Sequence, residues 1–256
     1  MSIYVSHLSK NEELFPILKE YNLGLEVVEF GRAEILDDKE RYYEEYKEEL
    51  KGILESRDIS LHGPFTDLAP ASRDIKIRNV TKDRFTSAFS IAKQLNSKRI
   101  VYHTGHIPKT YASKEWLDNS IEFWMDFTKD KLEDMEIHIE NVYEDDYALM
   151  YELVEAINHP NFSVCLDIGH VNANSTKTLE SWINGLGKKI KHVHLHNNDG
   201  IYDNHFGLHK GTINMLRILE TLKKTSPSAS WTLEILDIAD LIESVKFLER
   251  NGFLDK

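Results

Sequence analysis

Eight short runs rich in β-branched and apolar residues recur along this chain, and a segment with helical spacing follows each of them. The runs are IYVSH (3–7), LEVVEF (25–30), DISLH (58–62), RIVYHT (99–104), EIHIEN (136–141), FSVCLDI (162–168), IKHVHLH (190–196) and SWTLEIL (230–236). The helical segments cover 10–21, 39–55, 72–95, 114–133, 145–158, 176–186, 212–224 and 239–250. In the third of these, Ile77, Val80, Phe85, Ala88, Ile91 and Leu95 mark a predicted buried stripe. No linker rich in Pro, Ser or Gly interrupts the alternation, so residues 1–256 read as a single domain.

Strand and helix in strict alternation call for a parallel sheet. Eight such units in 256 residues fit a (β/α)8 TIM barrel, which needs about 250. A doubly wound open sheet is the alternative. The barrel makes the sharper prediction, because all eight strands would deliver their C-terminal ends to one mouth. His62, His103, Glu140, Asp167, His194 and Glu234 fall at or near the ends of the third to eighth runs, and His170, Asp203 and His205 lie in the loops just beyond. Imidazole and carboxylate are the side chains that bind zinc, manganese and similar ions, so the barrel would gather a metal-type site.

Composition narrows the partners. A net charge of -12 works against broad attraction to nucleic acid or to anionic membranes. No apolar run approaches a membrane span, and the expectation is a cytoplasmic protein. The single cysteine, Cys165, lies in an apolar run and reads as a small buried hydrophobe. No glycine-rich nucleotide motif or serine nucleophile elbow is present, which argues against a nucleotide cofactor or a serine hydrolase. The acidic stretch DDKERYYEEYKEEL reads as a solvated helix with Tyr42, Tyr46 and Leu50 inward. Arg73, Lys76, Arg78, Lys82 and Arg84 form a basic cluster interrupted by Asp74 and Asp83, read as a solvent-facing helix, with a phosphate-binding surface held in reserve. His7, His106, His138, His159, His192 and His209 read as ordinary core or surface histidines.

From the third run onward, the chain resembles the endonuclease IV and xylose isomerase-like TIM-barrel superfamily, also called AP endonuclease family 2. The resemblance is carried by HGPF with His62, HTG with His103, IEN with Glu140, CLDIGH with Asp167 and His170, HVHLHN with His194, DNH with Asp203 and His205, and TLEIL with Glu234. It departs from the endonuclease pattern in HTG for HPG, in HKG at 209–211 for GEG, and in Phe65 for tyrosine. The resemblance implies two chemistries. Endonuclease IV-like phosphoester hydrolysis would use all nine residues around up to three zinc ions, with Glu140 bridging ions and orienting the attacking hydroxide. Sugar or sugar-phosphate isomerisation or epimerisation would need only Glu140, Asp167, His194 and Glu234 around one Mn2+, Mg2+ or Co2+, with the glutamates moving the proton. In both, Glu140 and Glu234 are the expected catalytic residues. His170 and Phe65 are the expected substrate contacts. Hydrolysis is the first expectation, and the charge balance favours a small phosphoester or sugar over abasic DNA. A noncatalytic metal-binding barrel is the remaining alternative.

Overall fold

The computed structural model of the chain describes residues 1–254. Its eight strands, β1 (Ile3–Ser6), β2 (Gly24–Val27), β3 (Ile59–His62), β4 (Arg99–His103), β5 (Glu136–Glu140), β6 (Phe162–Asp167), β7 (Ile190–Leu195) and β8 (Ser230–Leu233), close into one barrel in sequence order. Every neighbouring pair is parallel, and β1 completes the ring through Tyr4 beside Thr232 on β8. Ten helices are described: α1 (Asn11–Glu20), α2 (Ala33–Asp37), α3 (Lys39–Glu49), α4 (Ile75–Gln94), α5 (Ser113–Thr128), α6 (Ala148–Ile157), α7 (Ile168–Asn174), α8 (Leu179–Leu186), α9 (Met215–Thr225) and α10 (Ile238–Arg250). The closed ring, rather than an open doubly wound sheet, follows from the order of the strands. No described helix is long and apolar enough to cross a membrane.

An apolar layer between sheet and helices holds the barrel together. Trp116, Trp124, Trp182 and Phe162 are among the largest fully buried side chains. Burying one large apolar side chain stabilises by roughly 1.5–3 kcal/mol, so this layer dominates the favourable side of folding. Local signals set the helix starts: Asp74, Asp167, Thr178, Asn214 and Asp237 each accept from a backbone N–H of the first turn.

Several sequence expectations shift in detail. Ile77 and Val80 are 43% and 55% exposed rather than buried. The loop from β3 folds beneath the first turns of α4, where Ala69 N–H donates to Thr81 Oγ1 at 3.0 Å, so Thr81 takes the inner face and the two apolar residues look outward. Tyr46 on α3 and Leu50 at its C-terminal cap are buried as expected, but Tyr43 occupies the position expected of the half-buried Tyr42. β2 ends at Val27, and Glu29–Gly31 form a 3-10 turn instead of extending the strand. The basic cluster is largely spent on neighbouring helices: Arg73 pairs with Glu115, Arg78 with Glu122, Lys82 with Asp126, and Arg84 with Asp37. That pairing removes support for a phosphate-binding surface there.

Barrel interiors are usually filled with branched apolar side chains. Here the interior is polar. Ser6, Glu26, Ser60, His138, Ser163, His192, His194, Ser230 and Thr232 are all buried, and Cys165 is fully buried beside them.

Candidate metal centre

Glu140, the last residue of β5, lies at the centre of the C-terminal mouth and is 1% exposed. Its Oε2 lies 3.2 Å from His62 Nε2 and 3.4 Å from His103 Nε2. Its Oε1 lies 3.2 Å from His194 Nδ1 and 3.4 Å from His170 Nδ1. Four imidazoles, drawn from β3, β4, β7 and the turn after β6, therefore meet on one carboxylate. Burial alone would raise the Glu140 pKa, but the surrounding imidazoles, His194 and His103 foremost, hold it well below the usual carboxylate range.

Asp167 ends β6 and also caps α7, accepting from His170 N–H at 2.6 Å. The D-x-x-H pair is thus one turn of helix, and His170 sits in a short helix where the sequence suggested a loop. Asn141 bolts this turn to β5: its side chain donates to Asp167 O at 3.0 Å and accepts from Asp167 N–H at 2.9 Å, while its own carbonyl lies 2.8 Å from His170 Nδ1. The loop after β7 brings in Asp203, whose Oδ2 lies 3.2 Å from His170 Nε2 and 3.0 Å from His205 Nε2. His205 adopts a left-handed φ of 50°, an uncommon conformation for a residue other than glycine and a form of strain found at functional sites. Glu234, one residue beyond β8, lies 3.5 Å from His194 Nδ1 through Oε2 and accepts from Ser6 Oγ at 3.2 Å through Oε1. All nine residues expected at a shared mouth converge there. Phe65 borders them, 45% exposed and stacked on His103 with centroids 4.5 Å apart.

Three of the histidines share one orientation. Nδ1 lies 2.8 Å from Gly63 O in His62, 2.8 Å from Asn141 O in His170, and 2.9 Å from Glu234 O in His205. A carbonyl oxygen only accepts, so each Nδ1 carries a proton, and each Nε2 is directed at a carboxylate. In the metal-free state that arrangement favours imidazolium. The carboxylates oppose the burial that would lower their pKa values, raising His170 well above the ordinary range and His205 to about 9. His103 is the exception, its pKa lowered by burial. Among the described residues, no lysine or arginine pairs with Glu140, Asp167, Asp203 or Glu234, so a cation is the natural counter-charge for the cluster. Groups such as His62, His103 and Glu140, or Glu140, Asp167 and His194, bring one ligand atom each within 4.8 Å of one another, close enough to share an ion.

The sequence reading missed two groups. His196, just beyond β7, is fully buried, with Nε2 3.2 Å from both oxygens of Asp167 and its ring stacked 4.0 Å from His205. Together with His205 and Glu234 it forms another set able to share an ion. The signal was available, since His192 and His194 alternate on the inward face of β7 and His196 continues that alternation one residue past the strand. The second group, Glu26 with His192, lies beneath the mouth. A glutamate inside the apolar run of β2 was its only trace. A cavity of about 720 Å³ lies at the opposite face between Met1, Tyr4, Arg57, Lys223 and Phe253, and no ligand-type cluster lines it among the described residues.

The model of the xylose isomerase-like TIM barrel family matches residues 18–251. The chain belongs to that family. It is 31% identical to the uncharacterized protein MJ1311 of Methanocaldococcus jannaschii, across 78% of this chain and 73% of the relative. Among solved structures, a D-tagatose 3-epimerase-like protein is 26% identical with a TM-score of 0.76, covering 98% of this chain and 97% of its own. The TTHB071 protein of Thermus thermophilus, soaked with ZnCl2, has a TM-score of 0.80 at 24% identity and covers 98% of each chain, a likeness of fold.

Proposed function

We propose that this protein is a divalent-metal-dependent hydrolase of phosphoesters with a site for up to three ions. The observation that carries the reading is the shared orientation of His62, His170 and His205. Each has one nitrogen tied to a backbone carbonyl and the other presented to a carboxylate, as metal-binding imidazoles are held. His62, His103 and Glu140 would hold one ion, Glu140, Asp167, His194 and Glu234 a second, and His170, Asp203 and His205 a third. The all-nitrogen-and-oxygen donor set suits zinc, and a bound cluster supplies charge stabilisation for phosphate oxygens and a water acidified toward neutrality.

The protein's own side chains do the rest. Glu140 and Glu234 orient water and hold protons, His196 fixes the carboxylate of Asp167, and Phe65 contacts the substrate. Because the ions, rather than arginines, would neutralise the phosphate, a small phosphoester suits this acidic chain better than abasic DNA. Elemental analysis of protein purified without added metal is expected to find two or three zinc ions per chain, with turnover on a phosphoester panel. A single ion at full occupancy would remove the proposal.

One observation favours a second reading, a sugar isomerase or epimerase. The D-tagatose 3-epimerase-like structure spans nearly this whole chain, and Glu140, Asp167, His194 and Glu234 alone could hold one Mn2+, Mg2+ or Co2+. Glu140 and Glu234 would then exchange a proton with the carbon beside the sugar carbonyl. Incorporation of solvent deuterium at that carbon would support it, and no exchange across a broad sugar panel would end it.

A further inference from the structure

Six of the eight loops that leave the C-terminal ends of the strands carry an exposed large apolar side chain: Leu8 after β1, Phe65 after β3, Ile107 after β4, Tyr143 after β5, Tyr202 after β7 and Leu236 after β8. Singly, each would be an ordinary surface residue. Their distribution is what stands out. Among the described residues, none of the loops leading from a helix into a strand exposes such a side chain, so the apolar surface gathers at the end of the barrel that holds the imidazoles and carboxylates.

Three of the six are tied to the cluster itself. Phe65 stacks on His103 with an interplanar angle of 21° and meets His62 edge-on, centroids 5.4 Å apart, yet keeps nearly half of its surface open. Tyr202 immediately precedes Asp203 and is 68% exposed. Leu236 N–H donates to His205 O at 3.4 Å. In a closed ring of eight strands taken in sequence order, β3 and β7 stand opposite each other, so Phe65 and Tyr202 rise on opposite sides of the mouth. The middle of this collar is polar, the buried set of Glu140, Asp167 and their imidazoles. A flat protein face laid across the rim would cover that set without pairing it. Small-molecule sites, by contrast, combine apolar walls with a few polar groups that fix orientation. A ligand with one oxygen-rich end and an apolar body meets both demands. A sugar body is poorly served, because Leu8, Ile107 and Leu236 offer its hydroxyls no hydrogen bond.

We propose that the substrates are phosphoesters whose organic group carries an aromatic ring, and that Phe65 and Tyr202 select that ring from opposite sides of the mouth. Three of the six collar residues are themselves aromatic, and aromatic rings favour offset-stacked or edge-to-face partners. The phosphate end is held by the ions and the ring by the collar, so charge and apolar area are recognised at different depths. Hydrolysis of such an ester by water releases phosphate and the ring-bearing alcohol. This inference rests on the phosphoester reading and deepens it by naming the class of alcohol.

The test is the binding of two phosphonates that water cannot cleave, phenylphosphonate and methylphosphonate, to zinc-loaded protein freed of excess ion, measured by calorimetry. Burial of the ring is expected to make phenylphosphonate bind about 30–100-fold tighter. Phe65→Ala and Tyr202→Ala, both at exposed positions, are each expected to reduce that ratio about three- to tenfold. General damage to the ion site would weaken both ligands alike and leave the ratio intact. Equal affinity of the two phosphonates in wild type, or a wild-type ratio in either variant, would overturn the inference alone. Failure of both phosphonates to bind would overturn the phosphoester reading and the inference with it.

Discussion

Gly169 leaves the space that the imidazole of His196 fills: a Cβ at position 169 would lie 1.9 Å from His196 Cε1. The glycine of the D-x-x-H turn therefore admits a histidine from the next strand. Gly169→Ala is expected to displace His196, lower stability by about 1–3 kcal/mol as overpacked interiors do, and weaken retention of bound zinc. Denaturant melts and elemental analysis of the same preparation check both effects, and wild-type values in each would contradict the account.

Glu140 gathers four imidazoles, so removal of its charge should scatter the site rather than trim it. Glu140→Gln is expected to lower zinc affinity by more than the roughly 10–100-fold typical of an outer partner, and to abolish turnover. Chelator titration beside an activity assay reads this. A variant that still holds its full metal complement would show that Glu140 is not a shared ligand.

The pH dependence has opposite signs with and without metal. In metal-stripped protein, His205 is raised to about 9 and His170 well above its ordinary value, burial lowering both but the facing carboxylates prevailing. Stability from a raised histidine is fully present below its unfolded value of about 6.5 and is lost as pH rises through the folded value. The stripped protein should therefore melt lower at about pH 9.5 than at about pH 6.5, as scanned in buffers spanning that range. Zinc affinity should rise over the same interval, because binding must displace those protons.

Chelation gives a direct measure of how far bound ions stabilise the fold. At free zinc about a thousandfold above the dissociation constant, the loaded protein should be about 4 kcal/mol more stable than the stripped one. For a domain of this size that corresponds to roughly 10 °C in melting temperature. Calorimetry with and without chelator is the measurement, and coincident curves would argue against occupied sites.

The barrel was legible in the sequence because strand and helix alternate without interruption, and the nine mouth residues were legible because a closed ring leaves strand ends nowhere else to go. What escaped were features fixed by packing. His196 was hidden behind His194, although the alternation that turns His194 inward on β7 continues to His196 one residue past the strand. Glu26 found its partners only when β2, β3, β7 and β8 met around it. Ile77 and Val80 keep helical spacing with the buried residues of α4, yet a loop beneath Thr81 decides which face turns inward. The reserved phosphate-binding reading of the basic cluster depended on its arginines being free, and acids on α2 and α5 claim several of them.

That last pairing affects how molecules approach. With Arg73, Arg78, Lys82 and Arg84 matched to acids on adjoining helices, the outer wall offers no unopposed cationic track along these residues on which a long polyanion could settle. Attraction for phosphate would have to be concentrated within the opening itself, a geometry that favours compact visitors able to descend into it over polymers that must drape across the rim.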